Sequence, residues 1–414
     1  MRPTLFCAVI ALLCVLTLLP AKGQAVAHPP TGVGDHVAQV IRPLMERYGI
    51  PGMAVGIVVK GKDCVFDYGV QSTATGVPIG HDTLFEIGSI SKIFTATLAS
   101  YAHITGKLAL SDRASQYLPS LQGSSFDRVS LLNLGTHTSG GLPLQVPDEI
   151  KNNDQLMAYF QSWKPTYTPG TFRTYSNPSI GMLGMIAAKS MHADFIELIE
   201  RNLFPALGMR STFLNVPSAR TKHYAQGYTT HDVPVRMTPG VLWSEAYGIR
   251  TTSSDMLRFV KANMHMLNVD QKWQDAITAT HTGYYRIGAM TQDLIWEQYH
   301  YPVELDQLLA GNSTKLIFES NPATELDPPV RPRGDVLINK TGSTSGFAAY
   351  VAFVPGKRIG IVLLANKSYP IDARVTAAFE ILAHVAGTQP AALAAASSAV
   401  PTRCCLSAKP YPLR

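Results

Sequence analysis

Strand-like sequence lies near both ends of the chain, and helical sequence fills most of the distance between them. Five runs rich in apolar and β-branched residues predict strands. They are residues 53–60, 64–70, 336–339, 347–354 and 359–365. Gly61-Lys62-Asp63 joins the first two runs and Pro355-Gly356-Lys357-Arg358 joins the last two, which is typical of hairpins. We therefore predict an α/β (α+β) fold with one antiparallel sheet built from both termini and flanked by helices.

The predicted helices flank the strands and also fill the middle of the chain. Residues 35–47 repeat apolar side chains at helical spacing, and a closing helix begins at Asp372 and ends near Gly387. Residues 105–185 contain helical pieces broken by Gly and Pro clusters, which predicts an inserted all-helical region. The expected divisions are an α/β sheet region made of residues 26–104 and 186–387 and a mostly helical region over residues 105–185.

Both ends of the chain carry segments that we expect to lie outside the fold. Residues 1–25 combine a basic start, an apolar run from Leu5 to Leu19 and small residues near Gly23, which predicts a secretory signal peptide. A membrane anchor is the alternative, but the run is shorter than the roughly 20 residues that span a bilayer. We therefore expect a periplasmic protein without membrane attachment. Residues 388–414 are rich in Ala, Ser and Pro and predict a disordered tail.

Charge and cysteine content argue against several classes of protein. The formal net charge is +6, but Lys and Arg are scattered, which does not favour a nucleic-acid surface. Two of the five cysteines fall in the predicted signal peptide, and the remaining Cys64, Cys404 and Cys405 do not indicate a disulfide framework. His137 and the other histidines lack the spacing of a zinc site. We expect neither a metal nor another cofactor, and no nucleic-acid partner.

The first motif that could carry chemistry is Ser89-Ile90-Ser91-Lys92, at the start of a predicted helix that runs to His103. A serine and a lysine three residues apart lie one turn apart on the same helix face. A buried lysine loses its charge more easily and can then accept the serine proton, which makes Ser89 a nucleophile. The alternative is that Ser89 only caps the helix and that Lys92 is solvated.

Two further motifs, Tyr175-Ser176-Asn177 and Lys340-Thr341-Gly342, offer complementary groups. A tyrosine flanked by cations can act as a general base, and an asparagine amide both donates and accepts hydrogen bonds. The lysine supplies positive charge at a strand end, and the glycine lets a ligand approach the backbone. Alternatively, Tyr175 is a core aromatic residue beside an Asn177-Pro178 turn, and Lys340 precedes a solvated turn.

The three motifs each occur once, in this order, on a helix start, a loop and a strand. Together they resemble the penicillin-recognising serine hydrolases, which share these elements around one cleft. Tyr-x-Asn as the second motif, and the chain distances between Ser89, Tyr175 and Lys340, are similar to those of class C β-lactamases. The resemblance extends from about residue 36 to 387 and includes LFEIGSISK, HTSGGLPLQVPDEI, YAQGY, EAYGI, WEQ and KTGSTSGFAAYVAFVPGK. It implies the β-lactamase/transpeptidase-like fold.

The resemblance implies a serine acyl-enzyme mechanism that opens the β-lactam ring of cephalosporins and penicillins. Ser89 would attack the lactam carbonyl, and the backbone amides of Ser89 and Ser343 would form the oxyanion hole. Lys92 and Tyr175 would share the work of the general base, and the sequence leaves open which of them takes the first proton. Tyr175 would activate the water that releases the acyl group.

The resemblance also implies which side chains bind the substrate. Lys340 and Thr341 would hold its carboxylate, Asn177 and Gln145 would bind its acylamide side chain, and Tyr247 would form an aromatic wall. The full set expected to contact the substrate, besides the catalytic Ser89, Lys92, Tyr175 and Lys340, is Gln145, Asn177, Tyr247, Thr341, Gly342, Ser343 and Arg374.

Three positions depart from the pattern of the family. Asn339 stands where many members have a histidine, and Ser368 and Ile371 stand where many have asparagines that help to bind the substrate carboxylate. Ile371 cannot hydrogen-bond a carboxylate through its side chain. We therefore expect carboxylate recognition to depend more on Lys340 and Thr341.

The sequence leaves several other functions open. A D-alanyl-D-alanine carboxypeptidase or an esterase would share the nucleophile and the fold. A non-catalytic penicillin-binding sensor would share the motifs, but such proteins usually sit beside a transmembrane segment. A metal-dependent lactamase would need ligands that the sequence lacks. By resemblance, we expect a monomer that acts on small-molecule β-lactams.

Overall fold

The computed structural model of the chain describes residues 32–59 and 61–387. The predicted signal peptide and the predicted C-terminal tail therefore lie outside the described residues. Within the described part, no helix combines the length and the apolar character needed to cross a membrane.

The centre of the fold is a nine-stranded antiparallel sheet. In chain order its strands are β1 (Gly52–Val59), β2 (Lys62–Gly69), β3 (Gly283–Ile287), β4 (Met290–Gln292), β5 (Glu297–His300), β6 (Thr324–Val330), β7 (Val336–Ser343), β8 (Ala348–Val354) and β9 (Ile359–Ala365). Their order across the sheet is β6-β3-β4-β5-β7-β8-β9-β1-β2. The N-terminal hairpin thus extends the C-terminal strands, because β1 pairs with β9, as the sequence predicts.

Helices cover both faces of this sheet. The seven longest in the described chain are α1 (Val33–Tyr48), α2 (Ser91–Ile104), α3 (Asn153–Ser162), α4 (Asn177–Ser190), α5 (Ser253–Asn263), α6 (Gln271–Ala279) and α7 (Ile371–Ala386). Shorter helical segments are Gly88–Ile90, Ala114–Tyr117, Pro119–Leu121, Ser125–Asp127, Leu131–Gly135, Phe195–Glu197, Leu198–Leu203, Phe204–Leu207, Ser218–His223, Trp243–Ala246, Leu305–Gly311, Thr314–Phe318 and Pro355–Lys357. Three pairs of two-residue strands complete the structure: Phe85–Glu86 with Arg250–Thr251, Phe172–Arg173 with Asn321–Pro322, and Gly227–Tyr228 with Pro234–Val235.

The central strands are apolar along their whole length because both of their faces are covered. All eight residues of β1 are buried. Side chains alternate along a strand, so Val55 and Ile57 join the cluster under α1 and α7, whereas Ala54 and Val58 join the cluster that contains Phe94 of α2. This two-sided burial explains why the sequence shows a continuous apolar run there and not an alternating one.

The prediction that the sheet comes from the two ends of the chain is incomplete. Four of its strands, β3 to β6, come from residues 283–330, where the sequence pattern did not predict strands. Local sequence does not reveal them because β4 and β5 have only three and four residues and carry polar side chains, and because β6 contains two prolines. Strand β7 also extends beyond its predicted end at residue 339, through Lys340-Thr341-Gly342 to Ser343, since these residues pair with β8.

The inserted region supplies mainly helices and loops, but it is not all-helical as predicted, because Phe172–Arg173 forms a short strand that pairs with Asn321–Pro322. Among the described residues, no strand of the nine-stranded sheet comes from residues 105–185. Side chains from this region, such as Leu134 and Leu183, nevertheless belong to the same buried cluster as Phe94 and Val362. The hydrophobic core is thus continuous across the two predicted boundaries, near residues 104 and 185. The division of the chain into a sheet region and a helical region stays a prediction.

A substitution at Leu363 tests how much the packing of the central strands contributes to the stability of the fold. The Leu363 side chain is fully buried in the middle of β9. Leu363→Ala is expected to lower the free energy of unfolding by about 2–5 kcal/mol, because it leaves a cavity in a close-packed core. Urea unfolding measures this change as a lower midpoint at constant m-value. Val77→Ala, at a side chain that is 45% exposed, is the matched control and should change stability little. If both substitutions changed the free energy of unfolding equally, the packing of Leu363 would not have the expected importance for stability.

Candidate active site

Ser89 lies in a helical turn, Gly88–Ile90, that is pressed against the end of β7. Gly88 has a φ of +50°, and a Cβ there would lie 2.4 Å from the carbonyl oxygen of Ser343. This backbone conformation favours glycine, and the close approach leaves no room for a Cβ. The turn therefore places Ser89 beside Ser343 at the start of α2, as expected from the first motif.

Lys92 follows Ser89 by one turn and is fully buried. Its Nζ lies 2.9 Å from Ser89 Oγ and 2.8 Å from the carbonyl oxygen of Ala246. Burial lowers the pKa of Lys92 to about 8, with the charge of Lys340 adding to the decrease and Tyr175 opposing it. A lysine with this pKa and this contact can accept the proton of Ser89. The solvated alternative for Lys92 is wrong.

Tyr175 lies between two lysines. The Nζ atoms of Lys92 and Lys340 are 5.2 and 5.1 Å from the centre of its ring. Burial alone would raise the pKa of Tyr175, but the charges of Lys340 and Lys92, with the hydroxyl of Ser89, outweigh it and lower the pKa. A lowered pKa makes the phenolate form of Tyr175 easier to reach, and the phenolate is the form that can act as a general base.

Lys340 belongs to a buried ionic network. The other members of this network, Glu297, Arg173 and Gln292, lie outside the three sequence motifs. Glu297 Oε1 lies 2.9 Å from the Arg173 guanidinium and 3.4 Å from Lys340 Nζ. Arg173 Nε also donates to Gln292 Oε1 at 2.6 Å. Because these residues meet only through the unpredicted strands β4 and β5, no local pattern could have identified the network.

His137 also lies near Tyr175, and the sequence motifs gave it no role. Its ring centre lies 4.4 Å from that of Tyr175, and its Nδ1 accepts a hydrogen bond from the backbone N–H of Ser176 at 3.3 Å. Burial, together with the charges of Arg173, Lys92 and Lys340, holds the pKa of His137 well below its usual range. The imidazole is therefore neutral and packs against the tyrosine as an uncharged ring.

These groups open into a cavity of about 730 Å³. Its lining includes Ser89, Tyr175 and Lys340 and six of the seven other predicted binding residues, namely Gln145, Asn177, Tyr247, Thr341, Gly342 and Ser343. Asn177 Nδ2 donates to Gln145 Oε1 at 2.8 Å, so these two amides form one polar surface. The cavity thus brings the three sequence motifs together.

Arg374 is the predicted binding residue that the structure places elsewhere. It is fully buried beneath the cavity and is absent from the lining. Its guanidinium donates to the carbonyl oxygen of Gly342 at 2.7 Å and to Ser343 Oγ at 3.0 Å. Through these bonds Arg374 positions the end of β7, in place of the direct substrate contact that the resemblance implies.

The three departures from the family pattern have different environments. Ile371 lines the cavity at the start of α7. Asn339 is buried and donates through Nδ2 to the backbone oxygen of Glu297 at 2.9 Å, which connects β7 to β5. Ser368 does not line the cavity, and its backbone N–H donates to the carbonyl oxygen of Tyr228. Of the three, Ile371 therefore has the most direct effect on what the cavity can bind.

Comparisons with known proteins find relatives that match most of the chain. A family model described as Beta-lactamase matches residues 37–386. A β-lactamase from Lysobacter lactamgenus is 52% identical over 369 residues, which are 89% of this chain and 96% of that protein. The chain belongs to the class C β-lactamase family. One solved structure of a class C β-lactamase in complex with cefoxitin is 52% identical, with a TM-score of 0.83, over 85% of this chain and 98% of that one.

Another structural relative of this class C β-lactamase carries a different description. It is the D-alanine carboxypeptidase AmpC from Burkholderia cenocepacia, which is 56% identical, with a TM-score of 0.82. The match covers 85% of this chain and 99% of that one. The comparisons confirm the β-lactamase/transpeptidase-like fold that the motifs imply. Within the described residues, no group of three or more His, Cys, Asp and Glu side chains could hold a metal ion.

The charge of Glu297 is expected to hold the network around Lys340 together. Glu297→Gln keeps the shape of the side chain but leaves two buried cations, Arg173 and Lys340, without their anion. It should cost about 3–5 kcal/mol of the free energy of unfolding. Arg173→Met should cost less, because Glu297 keeps Lys340 as a partner. Urea unfolding at pH 7 compares the two, and a larger loss from Arg173→Met would contradict this role of Glu297.

Proposed function

We propose that this class C β-lactamase hydrolyses the lactam amide of cephalosporins and penicillins through an acyl-enzyme on Ser89, and so confers resistance to these antibiotics. The observation that carries the proposal is the 2.9 Å contact between Ser89 Oγ and the buried Lys92 Nζ, at the floor of a cavity that also contains Tyr175 and Lys340. Serine is a weak nucleophile unless a neighbouring base takes its proton, and this contact supplies that base.

Acylation begins when Ser89 Oγ attacks the lactam carbonyl carbon and its proton passes to Lys92 or Tyr175. The two groups titrate as a coupled pair, so the proton belongs to the pair. The oxygen of the tetrahedral intermediate is bound by the backbone N–H groups of Ser89 and Ser343, which the close packing of Gly88 on Ser343 supports. Collapse of the intermediate breaks the lactam C–N bond, and the pair returns the proton to the leaving nitrogen.

In deacylation the same groups transfer a proton from water to Ser89. Tyr175, whose pKa is lowered by Lys340 and Lys92 against the effect of burial, takes a proton from a water molecule. The water oxygen attacks the ester carbonyl, the ester C–O bond breaks, and the proton passes to Ser89 Oγ. Lys340 is kept in place for this step by Glu297, and the His137 ring packs against the phenol ring.

Substrate recognition follows from the polarity of the cavity. The Lys340 ammonium and the Thr341 hydroxyl bind the substrate carboxylate, and the amide pair of Asn177 and Gln145 binds the acylamide group. Tyr247 forms a wall of the cavity. Arg374 contributes by fixing Gly342 and Ser343.

The cellular context is part of the same proposal. The sequence of residues 1–25 supports export and removal of a signal peptide, and the family resemblance supports a periplasmic monomer that is not attached to the membrane. The substrates are small molecules. We also retain the division into a sheet region (residues 26–104 and 186–387) and a helical region (residues 105–185) as part of the proposal.

The direct test of the function is hydrolysis of a cephalosporin by the purified mature chain. The native chain should turn over, and Ser89→Ala should lose turnover by several orders of magnitude, because the covalent intermediate cannot form. Stable acylation of the native chain without turnover would overturn the proposal and would favour a penicillin-binding sensor.

Tyr175→Phe separates the two halves of the cycle. The ring and its packing remain, but the group that activates water is lost, so the acyl-enzyme should accumulate while kcat falls by about 10²–10⁴-fold. Mass spectrometry of the enzyme during turnover measures the acylated fraction. An unchanged acylated fraction with a normal kcat would show that Tyr175 does not act in deacylation.

A D-alanine carboxypeptidase is the second candidate, because a structure of that description is 56% identical to this chain. Both activities would use Ser89, but a carboxypeptidase removes the last residue of a peptide that ends in D-alanyl-D-alanine. Release of D-alanine and hydrolysis of a cephalosporin, measured on one preparation, distinguish the two. We expect the cephalosporin to have the higher kcat/KM, and the reverse order would favour the carboxypeptidase.

Ile371 is expected to weaken recognition of the substrate carboxylate. Ile371→Asn adds an amide that can hydrogen-bond this group at the edge of the cavity. KM for at least one cephalosporin should fall by about tenfold, the effect of one added hydrogen bond of about 1.4 kcal/mol. Ile371→Val, which keeps the site apolar, is the control. Unchanged KM values for all cephalosporins in the asparagine variant would contradict this expectation.

A further inference from the structure

A second cavity of about 770 Å³ lies outside the catalytic cleft, and no step of the proposed function uses it. None of its lining residues also lines the catalytic cavity. One side is formed by segments of the inserted region, and the other by Tyr285 of β3 and Glu325 of β6. The cavity is therefore a separate feature, located where the helical region meets the edge of the sheet.

The lining of this second cavity carries two arginines whose charges have no acidic partner. Arg113 Nη1 donates to the carbonyl oxygen of Arg128 at 3.3 Å, and both residues are exposed and line the cavity, which places them at its rim. Within the described chain, neither guanidinium takes part in an ion pair. Glu325 is the acidic residue of the lining, and it also forms no ion pair there. The rim thus presents two unneutralised cations and one anion.

The interior of the cavity has a polar floor. Ser130, Asn133 and Tyr285 are buried there. Asn133 Nδ2 donates to the Tyr285 hydroxyl at 3.3 Å and to Thr138 Oγ1 at 3.1 Å. The phenol oxygen therefore receives a hydrogen bond from the protein and can direct its own proton towards a ligand.

One wall of the cavity is apolar and aromatic. Tyr167 lines it and stacks on Phe172 with ring centres 4.1 Å apart, which fixes the position of the tyrosine ring. Pro165 and Pro169 lie beside it in the lining. A flat or apolar molecule could pack against this wall while a charged group reaches the arginines.

We propose that this second cavity binds a small molecule with one carboxylate and an apolar or aromatic body. The guanidinium groups of Arg113 and Arg128 bind the carboxylate, since a planar guanidinium matches its two oxygens. The body of the ligand packs against Tyr167 and the prolines. Glu325 repels additional negative charge, so the site favours a monoanion over a dianion.

Binding of 4-fluorobenzoate tests the site, measured by ¹⁹F NMR of the ligand at low ionic strength. The uncharged 4-fluorobenzamide is the control ligand. The double variant Arg113→Gln/Arg128→Gln should raise the Kd of the benzoate at least about tenfold, because both charge-assisted contacts are lost. The matched control, Arg42→Gln/Arg47→Gln, removes the same charge from exposed positions on α1 and should leave the Kd unchanged.

Two further variants distinguish binding at this site from a general loss of folding and from binding in the catalytic cavity. Glu325→Gln should lower the Kd, because it removes the one repulsive charge of the rim, and unfolding could not produce that change. Lys340→Met should leave the benzoate signal in place, because the proposed site lies outside the catalytic cavity. The proposal is overturned if the double arginine variant binds like the native chain, if the benzamide binds equally well, or if Lys340→Met alone abolishes binding.

Discussion

The burial of Lys92 is the constraint on which the rest of the catalytic site depends. An ammonium group inside a protein is costly unless it is paired, and Ser89 Oγ and the Ala246 carbonyl oxygen, which accept hydrogen bonds from this one, carry no formal charge. The pKa of Lys92 falls to about 8 because burial is stronger than the opposing effect of Tyr175. The fold therefore maintains a lysine that can exist without its proton near neutral pH and that touches Ser89, the proposed nucleophile.

The surrounding structure keeps this arrangement rigid. A Cβ at Gly88 would lie 2.4 Å from the Ser343 carbonyl oxygen, and one at Gly342 would lie 2.0 Å from that of Ile87. The helical turn Gly88–Ile90 and β7 thus meet backbone to backbone, with no side chain between them. Strand β7 lies inside the sheet between β5 and β8, which fixes its own position. Glu297 then holds Lys340 at the distance from Tyr175 at which its charge favours the phenolate.

Sequence patterns predicted those parts of the molecule whose structure is visible in a short stretch of neighbouring residues. Strands β1, β8 and β9 are long and buried on both faces, so they appear as uninterrupted apolar runs. Strands β3 to β6 are short or contain prolines and charged residues, so they lack the apolar run of a buried strand. β3, β4 and β5 pair locally as hairpins, but they join the sheet through pairing of β5 with β7, and β6 is added by pairing with β3, and no local pattern shows these two pairings. The same distinction holds in the site. Ser89, Tyr175 and Lys340 occur in recognisable motifs, whereas Arg173 and His137 acquire their roles only through contacts across the fold. Arg374 lies in a matching sequence position, but the sequence could not show that its guanidinium is taken up by Gly342 and Ser343.

The lowered pKa that burial gives Lys92 can be measured on the free enzyme. Lysine labelled with ¹³C at Cε reports protonation through its chemical shift, and Lys92→Met identifies the signal of this residue by its disappearance. That signal should titrate with a midpoint near pH 8. Because Lys92 and Tyr175 are coupled, this midpoint describes the titration of the pair. A Lys92 signal that stays in the protonated position up to its ordinary value near pH 10.5 would contradict the proposed role of burial in activating Ser89.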